Sequence, residues 1–336
     1  MPDPFSDSPG ARPSAADSPA SPRLLRGAPI AAALRSEAKE RLTEFARRYG
    51  YVPVLAAVLA GGDSGGDEAT AVYFGQILRS SEVVGLRGRL VRLEGRISNA
   101  RLRRTVRELN ADPHVAGIIV QAPLPKPLDL ATVVDAIDPG KDIDGLHPLN
   151  AGLVAQGLGG FWPATAEAAV EILVHSGIAL EGRRVAIVGR SNVVGKPAAL
   201  LLQRHHATVT MCHSRTRDLA HHLRDAEIVV VAAGRARLVT GDMLAPGAVV
   251  VDVGINVEGE SIVGDVDFAS ASRVASAITP VPGGVGPLTC AVLITHTVNA
   301  AYAQAEAARQ RQLRRQLRQR RQRPQRPPGL APAGNA

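Results

Sequence analysis

Two kinds of hydrophobic pattern alternate along the chain. Short, almost wholly apolar runs read as strands buried on both faces, and longer stretches with apolar residues every three to four positions read as helices. In the first half a helical segment at about 29–51 precedes VLAAVLA (54–60), a buried strand. A helix over TAVYFGQILRSSEVVG (70–85) follows, then RGRLVRL as a strand, ISNARLRRTVRELN as a helix, AGIIVQ as a strand and a helix at about 128–137. Within 70–85, Tyr73, Ile77 and Val84 fall near one face, and nothing local decides whether that face is core or the wall of a site. The segment 138–153, DPGKDIDGLHPLNAGL, reads as a turn-rich exit.

A second alternation begins at Arg184. RVAIVG is a strand, RSNVVGKPAALLLQRH a loop opening into a helix, ATVTMC a strand, TRDLAHHLRDA a helix, and EIVVVAAG and AVVVDVGI further strands. A final helix is expected at about 288–305. Strands alternating with helices predict an α/β fold with parallel sheets, and the second half has the βαβαβ rhythm of a dinucleotide-binding domain.

Composition changes this picture little. The chain has 336 residues, 45% hydrophobic and 21% charged, enough for two domains with ordinary soluble surfaces. No apolar run approaches the roughly 18 residues of a membrane span, and the N-terminus lacks the charged and apolar regions of a signal peptide. Cys212 and Cys290 supply neither a disulfide framework nor a zinc cluster, no metal is expected, and the cytoplasm is the expected compartment. Residues 1–22, rich in Pro, Ser, Ala and Asp, are expected to be disordered.

Charge is less ordinary, at a net +8. Nine arginines and one glutamate lie in residues 303–336, leaving 30 basic and 30 acidic residues elsewhere. The basicity therefore belongs to a low-complexity tail, 306–336, without aromatics to stack on bases. A solvated, partly helical extension is the expected state, and a non-specific anchor for RNA or anionic surfaces is the sharper alternative.

VAIVGRSNVVGKP (185–197) carries the clearest chemistry. A strand runs into Gly189, and Gly195 opens a helix, so backbone N–H groups can face a pyrophosphate, although Ser191 occupies the second glycine position of the usual fingerprint. The next strand ends in CHSRTR, with Ser214 and Arg215 where NAD enzymes place an acid. With Arg190 on the first loop, a 2′-phosphate and hence NADP is the better fit. In VPGGVGPLT (281–289), Pro282 and Pro287 stiffen a loop whose Gly283, Gly284 and Gly286 let a ligand approach the backbone. Gln121 ends a buried strand, and Asp142 and Asp144 lie on the KDIDG loop, where an amide and a carboxylate could read a heterocycle's donor edge or simply cap turns. His147 and His213 are read as structural or peripheral.

Taken together and in order, LNADPHVAGIIVQAPLP, KDIDGLHPLNAGL, VGRSNVVGKP, CHSRT, VVDVGIN, IVGDV and ITPVPGGVGPLT resemble the bifunctional methylenetetrahydrofolate dehydrogenase/cyclohydrolases, often called FolD. The resemblance spans about residues 30–302. It implies a two-domain α/β enzyme, usually a homodimer, with tetrahydrofolate derivatives bound in the cleft between domains. Residues 23–161, completed by a helix at 287–305, would form the folate and catalytic domain, and 162–286 a Rossmann-type NADP domain. Hydride would pass from the methylene carbon of 5,10-methylenetetrahydrofolate to NADP, and water would open the methenyl product to 10-formyltetrahydrofolate. Carried over by motif, Tyr73, Gln121 and Asp144 are the catalytic-site residues, with Gln121 orienting the active groups and Asp144 holding the pterin. Gly189, Arg190, Ser191, Gly195, Ser214, Arg215 and the backbone at Ile255 would hold NADP, and the loop with Pro282, Gly283, Gly284 and Gly286 would close over folate and nicotinamide.

One match fails. The family's Tyr-x-x-x-Lys is YFGQI here, so the lysine position is Ile77, and no lysine lies between Lys39 and Lys126 to replace it. The loop GGDSGGDEAT is longer than the family's, Thr70 stands where the family has serine, and the family's P-C-T-P-x-G is PATAEA. Hydride transfer is mainly positioning and cofactor chemistry, whereas opening the methenyl bridge needs water activated and protons moved. The implied activity is a dehydrogenase with weak or absent cyclohydrolase function. A fully bifunctional enzyme, a folate- and NADP-binding pseudoenzyme, and an unrelated two-domain NADP reductase are the alternatives.

Overall fold

The computed structural model describes residues 21–61, 66–259 and 261–322, with the side chains of 66–73 and 320–322 outside that description. The expected disorder of residues 1–22 therefore falls almost wholly outside the described residues. In the first half the order is β1 (Arg23–Leu24), α1 (Gly27–Tyr49), β2 (Val54–Ala60), α2 (Gly66–Val84), β3 (Arg87–Leu93), α3 (Asn99–Ala111), β4 (Val115–Val120), α4 (Leu130–Val134) and α5 (Pro148–Ala155). Strands β3, β2 and β4 form a parallel sheet in that spatial order. All seven residues of the central β2 are buried, as a strand covered on both faces requires, while the edge strand β3 keeps arginines in solvent.

The second half contains α6 (Ala164–His175), β5 (Arg184–Val188), α7 (Gly195–Arg204), β6 (Thr208–Cys212), α8 (Leu219–Arg224), β7 (Ile228–Val231), β8 (Val249–Asp252), a small hairpin of β9 (Asn256–Glu258) and β10 (Ser261–Val263), α9 (Phe268–Ala271) and β11 (Ala277–Ile278). Its six-stranded parallel sheet has the order β1, β11, β8, β7, β5, β6. Arg23 and Leu24, expected with the first domain, instead extend this second sheet, because Arg23 N–H donates to Ser276 and Leu25 N–H to Ile278 along the open edge of β11. In both sheets the first strand of the unit, β2 or β5, lies between its two successors. The winding therefore reverses beside it, which places a crevice at its C-terminal end.

Local chemistry sets most helix ends. Gly50 closes α1 in the left-handed conformation at φ 77°, the Ser98 hydroxyl accepts from Arg101 N–H at the start of α3, and Asp129 caps α4. Three helices have no counterpart in the sequence reading, the shortest being the four-residue α9. α5 starts inside the expected turn-rich exit, capped by the His147 side chain with Pro148 in its first turn. α6 is apolar almost all round, with Ala164, Ala166, Ala168, Ala169, Val170, Ile172 and Leu173 buried, so it shows no amphipathic stripe to find.

The last helix, α10 (Val285–Gln322), is 38 residues long. It packs against α1, α6 and β4, and Tyr302 closes an aromatic cluster with Phe45 and Tyr49. The expected end at about residue 305 is overrun: the arginine-rich stretch continues the same helix through Gln322, with its described side chains exposed from Ala308 onward. Arg, Gln, Leu and Ala are strong helix formers, so an element already nucleated by packing propagates into solvent. Among the described residues, no helix is long and apolar enough to cross a membrane.

Candidate active site

On the smaller sheet, Gln121 immediately follows β4 and is buried. Its side-chain oxygen accepts from Ala60 N–H at 3.0 Å, and its own N–H donates to Val58, so the amide is locked in the crevice between the ends of β2 and β4. The KDIDG segment runs beside the same strand. Ile118 N–H donates to Lys141, and Ile118 bridges Asp142.

The two aspartates of this loop separate cleanly. Asp142 is buried and accepts from Leu146 N–H, His147 N–H and the Asn150 amide, so it is an internal brace. Asp144 keeps part of its surface exposed, and its carboxylate accepts from Ala164 N–H at the start of α6. Burial, reinforced by the charge of Asp142, pushes the Asp144 carboxyl up to about 7. Lys141 is no candidate amine for the site. Its ammonium group donates to the carbonyls of Asn110 and Asp112 at 2.8 Å each, capping the end of α3.

Ile77 is wholly buried in an apolar cluster that also contains Leu59, Phe74, Leu78 and Ile143. The face raised by the sequence is thus core-like at Ile77 and Val84. Tyr73 lies in α2, but its side chain, like that of Thr70, is outside the described residues, as is part of the long loop before it.

On the larger sheet, Gly189 ends β5 at φ 128° with its N–H donating to Cys212 at the end of β6. A Cβ there would stand 2.1 Å from the carbonyl oxygen of Ala232, and one on Gly195 would stand 2.1 Å from that of Gly189. Both positions need glycine so that strand and helix start can meet. The Ser191 hydroxyl accepts from Val194 N–H at 3.0 Å, which closes the turn without a second glycine. Arg190, Ser191, Ser214 and Arg215 are all exposed, on loops following the paired strands β5 and β6. His213 accepts from Arg215 N–H through Nδ1, the structural role expected of it. Ile255 is exposed just beyond β8.

The glycine-rich loop follows β11 and is tied to the rest of the chain at Gly27, whose N–H donates to Gly283. Gly284 is packed against Thr279 and Pro280, Pro282 is exposed, and Gly286 has open space where a Cβ would sit. The internal packing therefore does not account for glycine at 286.

Sequence reasoning missed the groups that hold these loops. Asp252 accepts from the N–H groups of Gly254, Asp265 and Val266, and Asp265 accepts from those of Ala233, Gly234 and Arg235. Burial raises the Asp252 carboxyl to about 6 against the pull of its three donors. The signal lay in the glycines beside them: a Cβ on Gly264 would collide with Asp252, and one on Gly254 with Asp265. A separate open groove of about 620 Å³, lined by residues such as Arg103, Arg107, Asp129 and Asp135, shares no residue with either crevice.

This arrangement has known counterparts. Residues 25–144 match the profile of the tetrahydrofolate dehydrogenase/cyclohydrolase catalytic domain, and residues 163–305 that of the tetrahydrofolate dehydrogenase/cyclohydrolase NAD(P)-binding domain. The bifunctional protein FolD of Herpetosiphon aurantiacus is 47% identical over 286 residues, which is 85% of this chain and 99% of that one. The bifunctional methylenetetrahydrofolate dehydrogenase/cyclohydrolase FolD from Campylobacter jejuni superposes with a TM-score of 0.79 at 39% identity, covering 83% of this chain and 98% of its own. The Trypanosoma brucei FolD enzyme, solved with NADP cofactor and inhibitor, gives 0.79 at 34% identity, covering 84% and 98%.

Proposed function

Because the chain belongs to the tetrahydrofolate dehydrogenase/cyclohydrolase family, we propose that it oxidises 5,10-methylenetetrahydrofolate to 5,10-methenyltetrahydrofolate with NADP and opens the methenyl bridge weakly or not at all. NADP, when bound, supplies the hydride acceptor. The turn at Gly189–Gly195 fits its pyrophosphate, with backbone N–H groups at the start of α7, and Arg190 and Arg215 fit a 2′-phosphate. Gln121, clamped by Ala60, orients the active-site groups, and Asp144 accepts a pterin N–H beside the Ala164 one. Tyr73 completes this side, and Gly283, Gly284 and Gly286 let the loop after Pro282 close over the reacting rings. Ser191, Ser214 and the Ile255 backbone line the NADP side.

One observation carries the division of labour: Ile77 is sealed in an apolar cluster where the family has its lysine, and it has no proton to move. Apolar packing there keeps water from the methenyl carbon without impairing the alignment that hydride transfer needs. The folate side comprises residues 23–161 and the helix at 287–305, the cofactor side 162–286, and the working form is a homodimer in the cytoplasm. The test feeds purified protein methylenetetrahydrofolate and NADP. Accumulation of methenyl product supports the proposal; prompt flow to 10-formyltetrahydrofolate identifies a fully bifunctional enzyme, and binding of both without turnover a pseudoenzyme.

A further inference from the structure

Behind the folate crevice lies a histidine that the reaction as described does not use. His296, on α10, is 5% exposed. Its Nδ1 stands 2.7 Å from the carbonyl oxygen of Ile143, and its Nε2 stands 2.9 Å from the carboxylate of Glu167. A carbonyl can only accept, so Nδ1 carries a proton. Nε2 faces the Glu167 carboxylate in the first turn of α6, an acceptor for a second ring N–H. The ring is thus an imidazolium held between two acceptors. The direction of its titration agrees: the bonds to Glu167 and Ile143 raise its pKa despite burial.

The position matters as much as the charge. Ile143 precedes Asp144, and Glu167 stands one turn after Ala164, whose N–H meets the Asp144 carboxylate. Phe161 covers the imidazole with ring centroids 5.2 Å apart, and Gly145 is pressed so close to Trp162 that a Cβ would lie 2.4 Å from its carbonyl carbon. The groups facing the imidazolium are Asp144 from the loop and Glu167 from α6, with Glu171 a turn further on paired to His175. Among these, His296 is the cation that acts on Asp144.

We propose that His296 is a positioning residue for the folate-side chemistry: charged and locked between Ile143 and Glu167, it holds the peptide that presents Asp144 and supplies positive charge behind that carboxylate. The inference rests on the proposed dehydrogenase reading for its kinetic consequence, but not for the state of the ring.

The full-length protein and its His296→Gln and Glu167→Gln variants test this. Glutamine at 296 keeps one donor for Ile143 but no charge. In His296→Gln the dehydrogenase kcat is expected to fall about tenfold at pH 7, with the folate KM within about threefold, and the acid limb of the pH profile to move up by about one unit. In Glu167→Gln the same loss is expected already at pH 7, because burial leaves the imidazole neutral there once its carboxylate partner is gone. An unmoved pH profile in both variants, with only Tm lowered, overturns the proposal. Nitrogen-15 NMR of the histidines, with His296 identified by its absence from His296→Gln or, should that variant not fold, by its response to Glu167→Gln, reads the ring without turnover. A doubly protonated His296 at pH 7.5 supports the proposal even if the protein proves inactive on methylenetetrahydrofolate, and a neutral ring sinks it even if the enzyme is active.

Discussion

The two crevices are built on opposite principles. On the folate side the polar groups are buried or half-buried and committed to protein partners: Gln121 to Ala60, Asp144 to Ala164, Lys141 to the end of α3. On the cofactor side the backbone is fixed, through Gly189, Gly195 and the Asp252–Asp265 braces, while Arg190, Ser214 and Arg215 stand in solvent. Buried side chains are organised before ligand arrives, so changes there reach the chemical step or the fold. In the proposed reading the exposed arginines gain their geometry from the phosphate, so changes there reach binding.

Substitutions rank accordingly, and the largest strikes the fixed backbone. Gly189→Ala forces a methyl group against the Ala232 carbonyl at a φ that L residues rarely adopt. It should cost about 3 kcal/mol or more of stability, read by denaturant unfolding, and abolish NADP binding in fluorescence titration. Asp144→Asn comes next, with dehydrogenase kcat falling about 10²-fold or more.

The same variant tests the buried titration. A carboxyl raised to about 7 in the folded protein favours folding fully below its ordinary range near 4, and that contribution is lost as pH rises through 7. Asp252, raised to about 6, and His296, also raised, act in the same direction. The wild-type Tm should therefore fall between pH 5 and pH 8, and fall less in Asp144→Asn; an equal fall in both breaks the contrast.

Ile77→Lys moves a cofactor-side habit, an unpaired cation, into the folate side. It should raise cyclohydrolase turnover by about 10²-fold, followed by loss of methenyl absorbance, while lowering stability because the amine enters a wholly buried place. Arg190→Ala with Arg215→Ala should raise the NADP KM by about 10–100-fold and leave kcat within about twofold, since each exposed charge pair is worth about 1 kcal/mol. The smallest effect is expected from deleting 306–336. That change removes the Glu306 contact with Arg48 at 3.4 Å, an exposed pair worth less than about 1 kcal/mol, and should leave dehydrogenase activity unchanged. If the deleted protein also loses a salt-sensitive retention on RNA, the tail is an anchor.

Much of this architecture was legible in one dimension because it repeats with a local period. VLAAVLA, RVAIVG and EIVVVAAG are strands with boundaries within about three residues of those read, since a parallel strand covered on both faces is an unbroken apolar run. Gly189 and Gly195 were legible as a strand–helix turn, and the clashes that require them were not. α6 escaped notice because its partners on all sides come from elsewhere in the chain, so burial erased the polar face that marks a helix. His296 and Glu167 escaped for a related reason: they are 129 positions apart, and each alone is an ordinary polar residue.

By itself, then, the sequence determined the α/β class, the dinucleotide-binding turn, the family and the isoleucine in place of lysine, because each depends on residue identity and short-range spacing. Only the tertiary structure decided which aspartate of KDIDG braces the loop and which stays partly exposed, that Lys141 caps a helix, and that His296 lies between Ile143 and Glu167, behind Asp144. Those distinctions depend on burial and on partners distant in sequence, and an ionisable side chain has no fixed role until its solvation and its nearest donors and acceptors are set.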